Sequence, residues 1–177
     1  MAGEVPSKSA GVGLGLDSVF AELLARSCFS LLRGASHPEE LVGRAQELGV
    51  SALALCDLDG LYGSVRAYTK ARELGQRVIV GAELTLDYAS LTGESRSDEN
   101  YGSDRSGAAP DNGAGGLSLV LLVENSQGYQ NLCQLLTLAH EQQPKGQSAL
   151  ELGWLAGRHE GLWAVVPVPE APEQVPE

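Results

Sequence analysis

Basic residues are few in this 177-residue sequence: 12 Lys plus Arg stand against 23 Asp plus Glu, for a formal net charge of −11. A surface with that excess repels phosphate backbones, and the bases are scattered with no local patch, so autonomous nucleic-acid binding is not expected. Cysteine is also scarce. Cys28, Cys56 and Cys133 are odd in number and lack C-x-x-C spacing, so neither a disulfide framework nor a zinc knuckle is indicated and buried free thiols are the expectation. No apolar run reaches the roughly 18 to 20 residues of a membrane span. The segment from Met1 to Leu16 carries Lys8 as its only base and no apolar stretch of secretory length. A cytoplasmic protein with no membrane partner is expected. There is no G-x-S-x-G, no glycine-rich phosphate loop with Lys, and no His partner identifiable for Cys28 or Cys56, so nucleophilic catalysis finds no support.

What is present suits a globular fold. Hydrophobic residues make up 43% of the chain, 5% are aromatic, and the length fits one domain. Residues 1–16, rich in Gly and Ser, read as a disordered lead-in to a domain over 17–166. Val19 to Leu24 is a short apolar run of strand length. Ser36, with Pro38 early in the turn and Glu39 three residues on, signals a helix start, and Leu41, Val42, Ala45 and Leu48 share one face before Gly49. Ala52 to Cys56 is a continuous apolar run, as in a parallel strand buried on both faces. The unit repeats: Leu61, Val65, Tyr68, Ala71 and Leu74 at helical spacing, Gly75 as a stop, then Arg77 to Val80 as a strand. Two such units predict parallel strands joined by right-handed crossovers.

Residues 88–116 break the pattern, because more than half are Gly, Ser, Asp or Asn and no hydrophobic period survives; a flexible insert is expected. Leu117 to Val123 restores a strand. Ser126 can cap a helix carrying Tyr129, Leu132, Cys133, Leu136 and Ala139, Ala149 to Ala156 reads as a short helix, and Leu162 to Val166 as a last strand. Residues 167–177 form an acidic, proline-rich tail. The expectation is five or six strands and four helices.

Functional groups in parallel α/β sheets gather where strands give way to loops. Asp57 and Asp59 follow one predicted strand and Glu83 the next, so three carboxylates converge there. Such a set can hold a hard divalent ion, and it can equally cap a helix or pair with bases.

Four ordered stretches carry a resemblance: Phe29 to Leu41 (FSLLRGASHPEEL), Asp57 to Gly63 (DLDGLYG), Gly81 to Thr85 (GAELT), and Leu119 to Val123 followed by Gly128 to Cys133. The region from Val19 to Val166 resembles the PHP (polymerase and histidinol phosphatase) domain that opens bacterial C-family DNA polymerase alpha subunits, nearest the error-prone branch. The resemblance implies a partial, distorted βα (TIM-like) barrel with parallel strands, in a family that can carry a multi-metal phosphoesterase site. It does not reach the family's late Asp-x-His ligands or the polymerase's own catalytic carboxylates.

Set against that family, most ligand positions are changed. The opening His-x-His is filled by Leu24, Ala25 and Arg26; Arg33 stands where an Asp is expected, Leu58 where a His separates two Asp, and Ser118 where a His opens the later strand. Glu83 remains. His37, His140 and His159 read as surface or capping residues. Losing imidazoles removes transition-metal affinity, while Arg26 and Arg33 bring permanent positive charge that can pair with Asp57, Asp59 or Glu83. A degenerate, metal-free pocket with no catalytic residue is expected, with Asp57 and Glu83 as weak metal candidates for Mg or Mn. The function expected from the resemblance is a structural or protein-interaction module, partnered by a polymerase or lesion-bypass assembly in replication or translesion repair. A residual metal-dependent phosphoesterase and a non-functional polymerase gene fragment are the alternatives.

Overall fold

The computed structural model describes residues 20–87, 118–141 and 143–167. The expected lead-in, the insert, and the tail beyond Pro167 lie outside them. Strand β1 (Ala21–Ala25) leads to helix α1 (Pro38–Glu47), β2 (Ala52–Leu58), α2 (Ser64–Leu74) and β3 (Val78–Thr85). After the undescribed residues come β4 (Ser118–Val123), α3 (Ser126–Glu141), a single 3₁₀ turn at Leu152–Leu155, and β5 (Leu162–Val165).

Local chemistry sets the helix ends. Pro38 opens α1 with its fixed φ, His37 is the N-cap, and the His37 amide donates to Glu40 Oε2 at 2.8 Å. The box expected at Ser36 and Glu39 is therefore displaced by one residue. Gly49 and Gly75 adopt φ of 70° and 69° beyond α1 and α2, a conformation that costs glycine little. Helix α2 begins at Ser64 rather than Leu61. At α3 the cap is Asn125, whose Oδ1 accepts from the Gly128 amide at 3.0 Å, rather than Ser126.

The strands form one five-stranded mixed sheet in the order β1-β2-β3-β4-β5. β1, β2 and β3 are parallel, as the repeated βα pattern predicts, but β4 is antiparallel to both β3 and β5. The expectation of parallel strands throughout thus fails at β4. The physical reason is visible in the sequence: a parallel return needs a crossover, usually helical, whereas the chain before β4 has no helical period, and an antiparallel neighbour needs no crossover helix.

Helices cover one face. Val42, Ala45, Ala67 and Ala71 pack on Leu53 and Leu55; Leu132, Leu135, Leu136 and Ala139 pack on Ala82, Leu84, Leu119 and Leu121. On the opposite face Ala54, Cys56, Val120 and Leu122 form a third cluster with Leu24, Ile79 and Val165. A fully buried Leu stabilises by about 1.5 to 3 kcal/mol, so these aliphatic layers fix the strand register.

Candidate functional site

The apolar run of β2 continues through Asp57, and that of β3 through Glu83, so both carboxylates lie within strands rather than after them. The register pairs Asp57 with Ala82 and Leu58 with Glu83. Residues paired across strands share a face and neighbours along a strand alternate. Asp57 therefore faces the helices with Leu53 and Leu55, and Glu83 faces the other way with Leu58. The three carboxylates do not converge.

Asp57, 1% exposed, is held by neutral donors. Its Oδ1 accepts from the Ser27 amide at 2.8 Å and the Ser30 hydroxyl at 2.8 Å, and its two oxygens lie 2.9 and 2.8 Å from Ser27 Oγ. Ser30 Oγ in turn accepts from the Leu58 amide at 3.0 Å. Both serines belong to the loop after β1. That loop closes on itself through bonds from the Ser30 amide to Ser27 O and from the Arg33 and Gly34 amides to Ser30 O. A Cβ at Gly34 would stand 2.0 Å from the Ser27 carbonyl oxygen, and one at Gly63 would meet Asp57 Oδ2 at 2.7 Å. Only glycine allows either approach.

Glu83, 2% exposed, is held by charge. Arg26 Nε donates to Oε2 at 2.6 Å, and Arg33 Nη1 lies 3.8 Å from Oε1. The expected pairing of an arginine with one of the three carboxylates is thus present. Asp59 turns aside with φ of 50°, and its carboxylate accepts from Thr85 N and Oγ1 at 2.8 and 2.9 Å. Ser118 pairs with Thr85, two residues beyond Glu83, and so shares its face. Leu24 packs into the cluster on that face. Leu58, Glu83 and Ser118 therefore share the face on which Leu24 packs, with Arg26 reaching Glu83. Burial and the neighbouring Glu83 charge push the Cys56 thiol up to about 12.

The histidines lie elsewhere. His140 Nε2 is 2.8 Å from Asp59 O, and His159 Nδ1 is 3.2 Å from Leu155 O. His37 corrects the sequence reading: its Nδ1 lies 3.2 Å from Cys28 Sγ, so Cys28 does have an imidazole neighbour. The Cys28 amide donates to Ser36 O at 2.9 Å and draws the two together across a loop that carries no periodic signal.

The described residues offer no cluster of donors for a multi-metal centre. Among the described residues no three His, Cys, Asp or Glu side chains meet as a metal-holding group, and the oxygens of Asp57, Asp59 and Glu83 are engaged as above. No described helix is long and apolar enough to cross a membrane.

The sequence matches the PHP domain family over residues 22–173. It is 43% identical over 157 residues to the error-prone DNA polymerase of Anaeromyxobacter sp. (strain K), covering 84% of this chain and 12% of that protein. It is 38% identical over 154 residues to the error-prone DNA polymerase of Bdellovibrio bacteriovorus, covering 81% of this chain and 12% of the relative. The chain thus spans about an eighth of these relatives' length. Among solved structures, an amidohydrolase from Chromobacterium violaceum aligns with a TM-score of 0.45 and 21% identity, over 68% of this chain and 33% of that one.

Proposed function

The chain belongs to the PHP domain family, and on that premise we propose that it is a metal-free member whose pocket is closed by an internal ion pair. Its role on this reading is that of a structural or protein-interaction module related to error-prone DNA polymerase. The partner is a polymerase or lesion-bypass assembly in replication or translesion repair, and the finer architecture is a partial, distorted βα barrel. One observation carries the proposal: Arg26 occupies the Glu83 carboxylate at 2.6 Å on the face that Leu24, Leu58 and Ser118 share. A guanidinium cannot deprotonate at accessible pH, so a cation entering there must break the pair against a fixed positive charge. The donors lost at these positions are those that give a transition metal its affinity.

The test is a titration of the purified chain with manganese and zinc, with hydrolysis of bis(p-nitrophenyl) phosphate measured in parallel. Binding no tighter than roughly millimolar, as for a sparse oxygen site, and no metal-dependent turnover are expected. Stoichiometric tight metal, with turnover that Glu83→Gln abolishes, would establish a residual phosphoesterase instead.

A further inference from the structure

Cys28 and His37 form a thiol–imidazole pair separate from the Arg26–Glu83 ion pair, and nothing in the proposed role uses it. Sγ and Nδ1 are 3.2 Å apart, Cys28 is partly exposed, and His37 is exposed at the head of α1. The pair is positioned rather than accidental. The Cys28 backbone is tied to Ser36 O, and the His37 backbone amide to Glu40 Oε2. The other two thiols lack this arrangement. Cys56 is buried, donates to Leu23 O at 3.4 Å, and has its thiol pushed up to about 12. Cys133 is partly exposed, but its titratable neighbour is the Tyr129 phenol, itself raised chiefly by that cysteine, and a phenol is no base at neutral pH.

The thiolate is the nucleophilic form of cysteine, and an adjacent imidazole that accepts the S–H proton supplies it. We infer that Cys28, with His37 as proton acceptor, is a reactive thiol and a site of covalent modification by soft carbon electrophiles. In the alkylation step the sulfur lone pair forms an S–C bond, the carbon–leaving-group bond breaks with its electrons, and the thiol proton passes to His37 Nδ1. No oxidant or cofactor enters. The loop so modified is the one that also carries Arg26, Ser27, Ser30 and Arg33, so an adduct would sit beside the groups that hold Asp57 and Glu83.

The experiment treats the intact native chain with sub-stoichiometric iodoacetamide and follows each cysteine by peptide-resolved mass spectrometry. Cys28 is expected to react at least about tenfold faster than Cys133, with Cys56 unlabelled until the chain is unfolded. His37→Asn, which retains a capping side chain, should bring Cys28 to within about twofold of Cys133 while Cys56 stays protected, showing that the fold persists. Equal rates at Cys28 and Cys133 in the native chain, a comparison that requires no variant, would overturn the inference. So would a Cys28 rate unchanged by His37→Asn.

Discussion

Asp57 and Glu83 are both almost wholly buried and stand on adjacent parallel strands, yet their charges are balanced in different ways. Asp57 looks toward the helices and is surrounded by two serine hydroxyls and an amide, all from one closed loop. Glu83 looks toward the other face and meets guanidiniums whose side chains remain 31% and 26% exposed. The first arrangement is a structural pin, because its donors are also what closes the loop. The second puts its counter-charge at the protein's surface, where solvent shares the load and a substitution can be absorbed.

The sharpest break in that comparison is Asp57→Ala. It leaves the Ser27 amide and two hydroxyls without their acceptor in a buried place, and should destabilise by more than about 3 kcal/mol in urea denaturation. Asp57→Asn should recover part of this, because one acceptor oxygen remains. A loss under about 1 kcal/mol for the alanine variant would show that water replaces the carboxylate, and the pin would be no pin.

Arg26→Ala should cost less, about 1 to 3 kcal/mol, since Arg33 stays near Glu83 and the lost partner was partly solvated. The double variant Arg26→Ala, Glu83→Gln should be more stable than the summed single losses imply, by at least about 0.5 kcal/mol. Strict additivity would mean that the short contact carries no coupling, and the idea that Arg26 closes the pocket would go with it.

The smallest effect belongs to Arg66, which pairs with Glu39 on the exposed side of α1 and α2 and lies 5.9 Å from the centre of the Phe29 ring. Arg66→Ala should change stability by about 0.5 kcal/mol or less, as for other surface pairs. The readout that moves is the Glu39 carboxyl, held below its ordinary range first by the Arg66 hydrogen bond; NMR titration should find it higher in the variant. An Arg66 loss as large as that of Arg26 would erase the distinction between surface and pocket pairs.

Much of the fold was legible in the sequence. Continuous apolar runs marked β2 and β4, the 3.6-residue spacing marked α1 to α3, and Gly49 and Gly75 marked two helix ends. At the two carboxylates the runs Ala52 to Cys56 and Arg77 to Val80 are shorter than the strands they mark, which continue through Asp57 and Glu83. Asp57 and Glu83 remain in their strands because the loop after β1 brings donors to them, and those contacts span 30 and 57 residues. Once each strand was cut short, the alternation that sends the two carboxylates to opposite faces could not be seen. The direction of β4 was readable in principle from the missing crossover helix. The approach of His37 to Cys28 was not, because it depends on how an aperiodic loop closes around Gly34.

That closure bears on how the chain can change over time. With the Ser27 carbonyl oxygen 2.0 Å from where a Cβ at position 34 would be, no side chain can be added there unless the backbone at both ends of the loop gives way. An insertion or deletion between them would undo the Ser27, Ser30 and Gly34 bonds in one step. A change at position 27, 30 or 34 is therefore expected to require changes at the others, whereas the side chain of Leu31, 81% exposed on the outside of the ring, can vary in size and polarity without touching what the loop holds. Leu32, with φ of 63°, is open to solvent but disfavours β-branched replacements.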